Sequence, residues 1–250
     1  MGDKYQDFFS KNSENYRNSM SHKKGKDLDI LLKMINTKST DICLDLASGT
    51  GFTAVRIAPL SKHVTAYDGT DKMLERAMDV AREEGVKNIS FVVGDVEKLP
   101  FEDNSFDVVV CRRAAHHFKN KNRFLSESFR VLKPEGRFGL VDFAEPCRDN
   151  ENLFNEFERL RDHSHVKAEK VSSWKEMIER EGFRNLKTEE IPDTIPFEKW
   201  LSPINPDSEE GISCIEFVKR HKEADLQKMN FDKEKMEIIK ERFVIVAIKP

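Results

Sequence analysis

Long apolar runs are missing from this sequence of 250 residues. The longest, residues 108–111 and 243–248, have the length of strands, whereas a membrane span needs about 18 apolar residues. The first residues show neither the apolar region of a signal peptide nor the hydroxyl residue of a myristoylation motif. We therefore expect a cytoplasmic protein without stable membrane insertion.

An excess of charge of one sign is also missing. The 42 basic and 45 acidic residues leave a formal net charge of −3. Nucleic-acid-binding proteins usually carry a basic excess, so the composition predicts no nucleic-acid partner. The four cysteines (Cys43, Cys111, Cys147 and Cys214) form no C-x-x-C pair, and three of them lie in or beside apolar strand-like runs. This placement is typical of buried, reduced thiols.

Short β-like runs alternate with helix-like segments between residues 40 and 143. The β-like runs are residues 42–46, 63–67, 89–93, 106–110 and 137–143, and the helical spacing covers 72–84 and 122–132. Alternation of this kind predicts a parallel sheet with helices on both faces. Right-handed crossovers make such an α/β sheet doubly wound.

The flanking sequence predicts additions to this sheet. Apolar periodicity indicates helices over residues 27–35, 151–161, 173–181 and 208–221, and residues 243–248 are typical of a final strand. Four prolines follow Ile191, at positions 192, 196, 203 and 206, and they predict an irregular stretch there. We expect a single domain over residues 1–250.

A glycine loop follows the first β-like run. Glycines at this place let the backbone turn sharply, and the next helix presents free N–H groups to a ligand. The pattern Gly49-x-Gly51-x-x-Ala54 fits the dinucleotide fingerprint, and Asp68 lies about twenty residues further on. On this pattern alone, an NAD(P)-dependent oxidoreductase is one interpretation.

Four further motifs surround the loop in a fixed order. An acid precedes it in Asp45-x-Ala-x-Gly-x-Gly51, and the later motifs are residues 67–74, 94–101, 105–109 and 130–138. This ordered set resembles the class I S-adenosylmethionine-dependent methyltransferases, in particular the branch of ubiquinone/menaquinone-biosynthesis type. The resemblance covers residues 40–143. It implies a Rossmann-like, mostly parallel seven-stranded sheet, with a helical lid in residues 1–40, a cofactor-binding core in 41–143 and acceptor-side additions in 144–250.

The resemblance also implies a cofactor site for S-adenosylmethionine, with S-adenosylhomocysteine as product. The carboxylate of Asp68 would accept hydrogen bonds from the two ribose hydroxyls, and that of Asp95 would accept a hydrogen bond from the adenine amino group. An ordinary acid at a strand end, or a core methionine at position 73, is the alternative. The full set of expected cofactor residues is Tyr16, Asp45, Ala47, Gly49, Gly51, Asp68, Gly69, Met73, Gly94, Asp95, Val96 and Arg112. The family usually has glycine where this chain has Ala47, and a methyl group is tolerated at this position if its φ is negative.

The loop after the fourth β-like run carries the candidates for the methyl acceptor. His116 and His117 are candidate general bases, and Arg113 or Arg112 is a candidate for holding an anionic acceptor. Alternatively, one histidine caps the following helix and the arginines pair with nearby acids. A second polar group, residues 161–165, is a weaker candidate for the acceptor pocket. We expect no metal site, because zinc needs three or four converging ligands.

The sequence thus predicts an enzyme that methylates a small-molecule acceptor, at carbon or oxygen. Two alternatives are an NAD(P)-dependent oxidoreductase and a non-catalytic S-adenosylmethionine-binding protein.

Overall fold

The computed structural model describes residues 25–202 and 204–250. Five parallel strands form its central layer: β1 (Ile42–Leu46), β2 (His63–Asp68), β3 (Ile89–Val93), β4 (Phe106–Arg112) and β5 (Leu132–Phe143). Three more strands complete the sheet: β6 (Arg184–Pro196), β7 (Phe231–Asp232) and β8 (Glu237–Ile248). Strand β8 pairs antiparallel with β5, β6 and β7.

The strand order is β3-β2-β1-β4-β5-β8-β6, with β7 beside β8. This order confirms the doubly wound, mostly parallel sheet. The seven strands of the main path agree with the expectation, and the two-residue β7 is an eighth. The direction of winding reverses between β1 and β4, and the carboxyl ends of these strands are where ligands bind in open α/β sheets.

Helices cover both faces of the sheet. In chain order they are α1 (Lys26–Ile35), α2 (Phe52–Ile57), α3 (Asp71–Glu83), α4 (Lys121–Val131), α5 (Leu153–Arg161), α6 (Val171–Glu181), α7 (Phe197–Leu201), α8 (Glu209–Arg220) and α9 (Glu223–Lys228). Short 3-10 turns occupy Ala58–Leu60 and Ala115–His117. The predicted helices are confirmed to within two residues at each end.

Two apolar clusters sandwich the sheet, and a third supports the C-terminal additions. Leu28 and Leu31 of α1 pack with Val141 and Val244 on one face. Trp174 of α6 belongs to the cluster on the other face. The third cluster joins α5, α7 and α8 beyond the carboxyl end of β5. Helix α1, which falls in the region expected to form a lid, is therefore a core helix.

The expectation of an irregular stretch after Ile191 is wrong as far as Leu201 and is confirmed only over residues 204–208, between helices α7 and α8. Strand β6 runs on to Pro196 and pairs with β8 without interruption from Lys187 to Pro196, with Pro192 opposite Glu241. Because β6 is at the edge of the sheet, the missing proline N–H groups need no strand partner. Cys43, Cys111 and Cys214 are buried free thiols, and Cys147 is exposed. Within residues 25–202 and 204–250, no helix is long and apolar enough to cross a membrane.

Candidate active site

The glycine loop leaves the sheet at the point where the winding reverses. Three of its residues have positive φ: Ala47 at 51°, Gly49 at 55° and Gly51 at 78°. Ala47 does not meet the condition of negative φ, because the turn after β1 requires the left-handed region there. An L-residue with a Cβ adopts that region at a cost of about 1–2 kcal/mol.

Asp45 holds this loop in place from below. Its Oδ2 accepts hydrogen bonds from the Ser48 hydroxyl at 2.6 Å and from the Ala54 backbone N–H at 3.0 Å. Asp45 is buried, and burial raises its pKa to about 7. The carboxylate thus ties β1, the loop and the start of α2 into one unit.

Asp68 closes the same loop from the side. Its Oδ2 accepts the Gly49 N–H at 2.8 Å, and its Oδ1 accepts the Thr70 N–H at 2.9 Å. Burial raises the pKa of Asp68 to about 6. Each carboxylate oxygen has two lone pairs, so each can still accept one hydroxyl hydrogen. Asp68 therefore retains the acceptor capacity that a ribose diol needs.

Two further observations show that these residues fit a bound nucleoside. Among residues 25–202 and 204–250, apart from the chain neighbours of Gly49, no atom lies within 4 Å of the position where Gly49 would carry a Cβ, so these residues leave the space above the loop open. The Thr70 hydroxyl is buried and has no hydrogen-bond partner among the described residues. An open cradle beside a buried unpaired hydroxyl is suited to a polar ligand.

The end of β3 forms the next wall of this space. A Cβ on Gly94 would overlap the hydroxyl of Tyr67, which donates to the Asp95 carbonyl at 3.2 Å. The Asp95 side chain is exposed and accepts the Glu97 N–H at 2.8 Å. Val96 is buried nearby in sequence. The predicted adenine acceptor therefore lies at the surface, in a tight turn that only glycine at position 94 permits.

Two other predicted cofactor residues follow Asp68 in the chain. Met73 is 3% exposed in the first turn of α3, whose N-cap is Thr70. Gly69 follows directly after β2. Tyr16 lies outside the described residues.

Arg112 and Arg113, at the end of β4, both donate hydrogen bonds to the carboxylate of Asp27. Nε and one terminal nitrogen of Arg112 lie 3.0 Å from the two oxygens of Asp27, and those of Arg113 lie at 2.7 and 2.8 Å. The two guanidinium groups hold the pKa of Asp27 far below its ordinary value despite burial. They thus join β4 to α1, as the ion-pair alternative described.

His116 pairs with an acid that the motif comparison did not single out. Its Nδ1 lies 2.8 Å from Oδ1 of Asp142, and its backbone N–H donates to Oδ2 at 3.0 Å. Oδ1 also accepts the Phe143 N–H at 2.9 Å. Burial lowers the pKa of His116 well below its ordinary value and raises that of Asp142 to about 6. An ionised carboxylate only accepts, so Nδ1 carries the proton and Nε2 is left as an acceptor.

The two histidine clusters of the sequence meet in the structure. The rings of His117 and His165 lie 3.9 and 5.6 Å from that of His116. Nδ1 of His117 is 3.0 Å from the Ser164 carbonyl, and Nε2 of His165 is 2.7 Å from Oδ1 of Asn155. Ser164 and His165 of the segment 161–165 therefore lie beside His116 and His117. Among the described residues, no group of three or more His, Cys, Asp or Glu side chains is placed to hold a metal ion.

The following helix is not capped by a histidine. Helix α4 begins at Lys121, and the Asn120 side chain accepts the Arg123 N–H as its N-cap. The capping alternative for the histidines is therefore wrong.

A buried ion pair supports the histidines from the C-terminal additions. Nζ of Lys240 lies 2.9 Å from Oε1 of Glu158 and 3.7 Å above the centre of the Phe143 ring. The same Oε1 accepts the Trp200 indole N–H at 3.1 Å. Burial lowers the pKa of Lys240 to about 8. Phe143 in turn contacts the ring of His116 at 4.4 Å.

Sequence reasoning missed Asp142 although a signal was present. Asp142 is an acid inside an apolar run at a strand end, the same pattern that singled out Asp45. Asp27, Asn155 and Lys240 carry no such signal, because their partners are brought to them only by the tertiary fold.

Comparison with known proteins identifies the class. A family model described as "Methyltransferase domain" matches residues 44–140. The chain is 38% identical over 203 residues to the uncharacterized methyltransferase YcgJ of Bacillus subtilis, covering 80% of this chain and 76% of that protein. The chain belongs to the methyltransferase-domain family and is an S-adenosylmethionine-dependent methyltransferase.

Solved structures share this fold over about nine tenths of the chain. The crystal structure of YcgJ superposes with a TM-score of 0.81 at 29% identity and covers 89% of this chain and 97% of that one. That of a proposed methyltransferase from Bacillus halodurans C-125 gives 0.83 at 35% identity, covering 90% and 100%. The ubiquinone/menaquinone biosynthesis C-methyltransferase UbiE of Brucella canis is 42% identical over 106 residues, which are 41% of this chain and 39% of that one.

Proposed function

We propose that this enzyme methylates a carbon or oxygen atom of a small-molecule acceptor held between the glycine loop and the His116 loop. The main observation in support of this proposal is the pairing of the two strands that lead into these loops. β1 and β4 are parallel neighbours with Leu46 opposite Cys111. The loops that follow them therefore leave the same edge of the sheet, about 5 Å apart at their roots.

The cofactor half of this site is assigned to the glycine loop and the ends of β2 and β3. Asp68 would accept hydrogen bonds from the ribose diol, and the side-chain hydroxyl of Thr70 would form a further hydrogen bond with the cofactor. Asp95 and Val96 would bind the adenine edge, with Met73 packed beside it. When bound, S-adenosylmethionine supplies a methyl group on a positively charged sulfur.

The acceptor half is assigned to the histidine loop. A methyl transfer requires alignment and the exclusion of water, and it requires a base only when the acceptor loses a proton. His116 is neutral, and its Nε2 is free to take that proton because Asp142 holds the proton at Nδ1. His116 is thus assigned the role of general base, and Asp142 that of a positioning residue.

Two observations support a small acceptor. His116 and His117 are each only 7% exposed, so a group that reaches Nε2 must be narrow. The near-neutral composition offers no basic surface for a nucleic acid. The similarity to UbiE, whose name describes a C-methyltransferase, supports the inclusion of carbon beside oxygen as a candidate acceptor atom.

Calorimetry with S-adenosylhomocysteine tests the cofactor half. Asp68→Ala removes charge-assisted hydrogen bonds worth about 1.5–3 kcal/mol, so affinity should fall by about 10-fold or more. Asp79→Ala, on the outer face of α3 and paired with Arg82, should bind as wild type. Equal affinity in the two variants would contradict the role of Asp68, and binding of NADH alone would contradict the cofactor.

A screen with radiolabelled methyl groups against metabolite pools tests the acceptor half. His116→Ala should keep its affinity for S-adenosylhomocysteine and lose about 100-fold or more in turnover. Turnover at the wild-type rate would remove His116 from the chemistry.

A further inference from the structure

Two histidines at the acceptor side are held as neutral hydrogen-bond acceptors by separate networks. The first is His116, whose Nδ1–H donates to Asp142. Three N–H groups donate hydrogen bonds to this carboxylate, and these hydrogen bonds stabilise its ionised form. The lone pair of His116 is therefore on Nε2.

The second is His165, whose tautomer is set by Asn155. The Asn155 amide donates from Nδ2 to the Ala168 carbonyl at 3.2 Å and accepts the Ala168 N–H at Oδ1 at 2.7 Å. This double contact leaves only one orientation for the amide. Nε2 of His165 faces Oδ1 at 2.7 Å, so Nε2 carries the proton and the lone pair is on Nδ1.

The two rings share one environment. Their centres lie 5.6 Å apart, and the Phe143 ring contacts both, at 4.4 Å from His116 and 6.0 Å from His165. Burial lowers the pKa of His165 to about 3 and that of His116 well below its ordinary value, so both rings are neutral at pH 7. Within the described part of the chain, Nε2 of His116 and Nδ1 of His165 have no hydrogen-bond partner.

We propose that His116 and His165 together bind a neutral methyl acceptor that carries hydroxyl groups on two adjacent carbons. The assignment rests on the proposed function and names the substrate class of its acceptor site. Two lone pairs attract O–H donors and repel a carboxylate or phosphate. Hydrogen bonds of about 2.8 Å from two neighbouring hydroxyls can reach two rings at this separation.

The two histidines then have different tasks. His116 takes the proton of one hydroxyl: the O–H bond breaks, its electron pair stays on oxygen, and the proton bonds to Nε2. His165 accepts the second hydroxyl and fixes the orientation of the acceptor. Asn155 touches no acceptor in this arrangement and is a positioning residue that keeps the lone pair of His165 on Nδ1.

Nitrogen NMR of the histidine-labelled protein bound to S-adenosylhomocysteine tests the tautomers. The expected spectrum shows unprotonated Nε2 for His116 and unprotonated Nδ1 for His165 across about pH 6–8. The opposite tautomer at His165, or an imidazolium, would overturn the assignment. Binding of S-adenosylhomocysteine in the same sample is the separate readout for the proposed function.

A titration with 1,2-dihydroxybenzene tests the ligand class. This probe should shift both lone-pair resonances, whereas 1,2-difluorobenzene, which has a similar size but no O–H donors, should shift neither. An equal response to the two compounds, or no response to 1,2-dihydroxybenzene, would overturn the proposal.

A matched pair of variants separates the lone pair from the fold. His165→Gln places an amide near the Nε2 position, where it can donate to Asn155, and lacks the acceptor at Nδ1. His165→Asn places an acceptor near the Nδ1 position. The glutamine variant should bind 1,2-dihydroxybenzene about 10-fold more weakly than the asparagine variant, which corresponds to one hydrogen bond. Equal affinities in the two would overturn the role of Nδ1, and both should bind S-adenosylhomocysteine as wild type.

Discussion

The two halves of the site are built in different ways. On the cofactor side, carboxylates accept backbone N–H groups that are close in sequence: Asp45 and Ala54 are 9 residues apart, and Asp68 and Gly49 are 19 apart. On the acceptor side, side chains are joined over longer separations, 26 residues for His116 and Asp142 and 47 for His117 and Ser164. A short motif therefore specifies the first half, whereas the second depends on the packing of the C-terminal additions.

This difference determines which substitutions each half of the site tolerates. The cofactor loop depends on backbone conformation, so changes of glycine should matter most there. The acceptor side depends on buried charge, so removal of one partner of a pair should matter most. Four changes, in order of decreasing effect, test this contrast.

Breaking the Lys240–Glu158 pair should have the largest effect. Lys240→Met leaves the negative charge of Glu158 buried, with only the hydrogen bonds from Arg161 and Trp200 to stabilise it. Removal of one partner of a buried pair costs about 3 kcal/mol or more in the free energy of unfolding, measurable by urea denaturation. The double variant Lys240→Met/Glu158→Gln should recover part of this loss, because no buried charge is left unpaired. An equal loss in the single and double variants would show that packing, not charge, sustains this side.

Adding a methyl group to the glycine loop should have the next largest effect. Gly51 has φ 78°, and a Cβ there would lie 2.7 Å from the Cβ of Ala77 on α3. Gly51→Ala should cost about 2–3 kcal/mol by urea denaturation, from left-handed strain and overpacking.

Gly49→Ala is the matched control for this change. Gly49 also has positive φ but faces open space, so the loss of stability should be only about 1 kcal/mol. Its methyl group would enter the space assigned to the cofactor, and affinity for S-adenosylhomocysteine should fall. A variant that loses stability but keeps full affinity would place the cofactor elsewhere.

The contrast also explains what the sequence can predict. The central sheet, its order of motifs and the glycine loop follow from local patterns, and they are confirmed by the fold. Strand β6 did not follow, because Pro192 excludes a central strand but not an edge strand, and sequence does not show which strand is at the edge. The positive φ of Ala47 was likewise hidden, since alanine gives no sign of left-handed backbone.

The acceptor side was predictable only in part. The histidines of the loop after β4 stood out, and Asp142 had a detectable pattern. Asn155 is a single polar residue within a helix, and its contact with His165 arises because the chain between α5 and α6 folds back against His116. Such contacts have no period or spacing that could reveal them.

A pH titration of S-adenosylhomocysteine binding tests the protonation of Asp68 in the cofactor half. Burial raises the pKa of Asp68 to about 6, above the value of about 3.9 in an unfolded chain. The folded protein thus binds this proton more tightly, so the contribution of Asp68 to stability declines as pH rises through about 6. Affinity for S-adenosylhomocysteine should change in the opposite direction and fall about 10-fold per pH unit below about 6. Asp68→Asn should lose this pH dependence, and a slope that persists in it would belong to another group.

Ala47→Gly should have the smallest effect and the opposite sign. Glycine removes the cost of about 1–2 kcal/mol that alanine bears at φ 51°, but it increases the entropy of the unfolded chain by about 0.5–1 kcal/mol. The net result should be a stabilisation of about 0.5–1 kcal/mol by urea denaturation. Asn152→Gly, at φ 61° on the exposed start of α5, should gain less, because asparagine tolerates the left-handed region better than alanine does. A loss of stability in Ala47→Gly would mean that the methyl group of Ala47 contributes more through packing on the sheet than its backbone strain costs, and the cofactor loop would then depend on side-chain contacts as the acceptor side does.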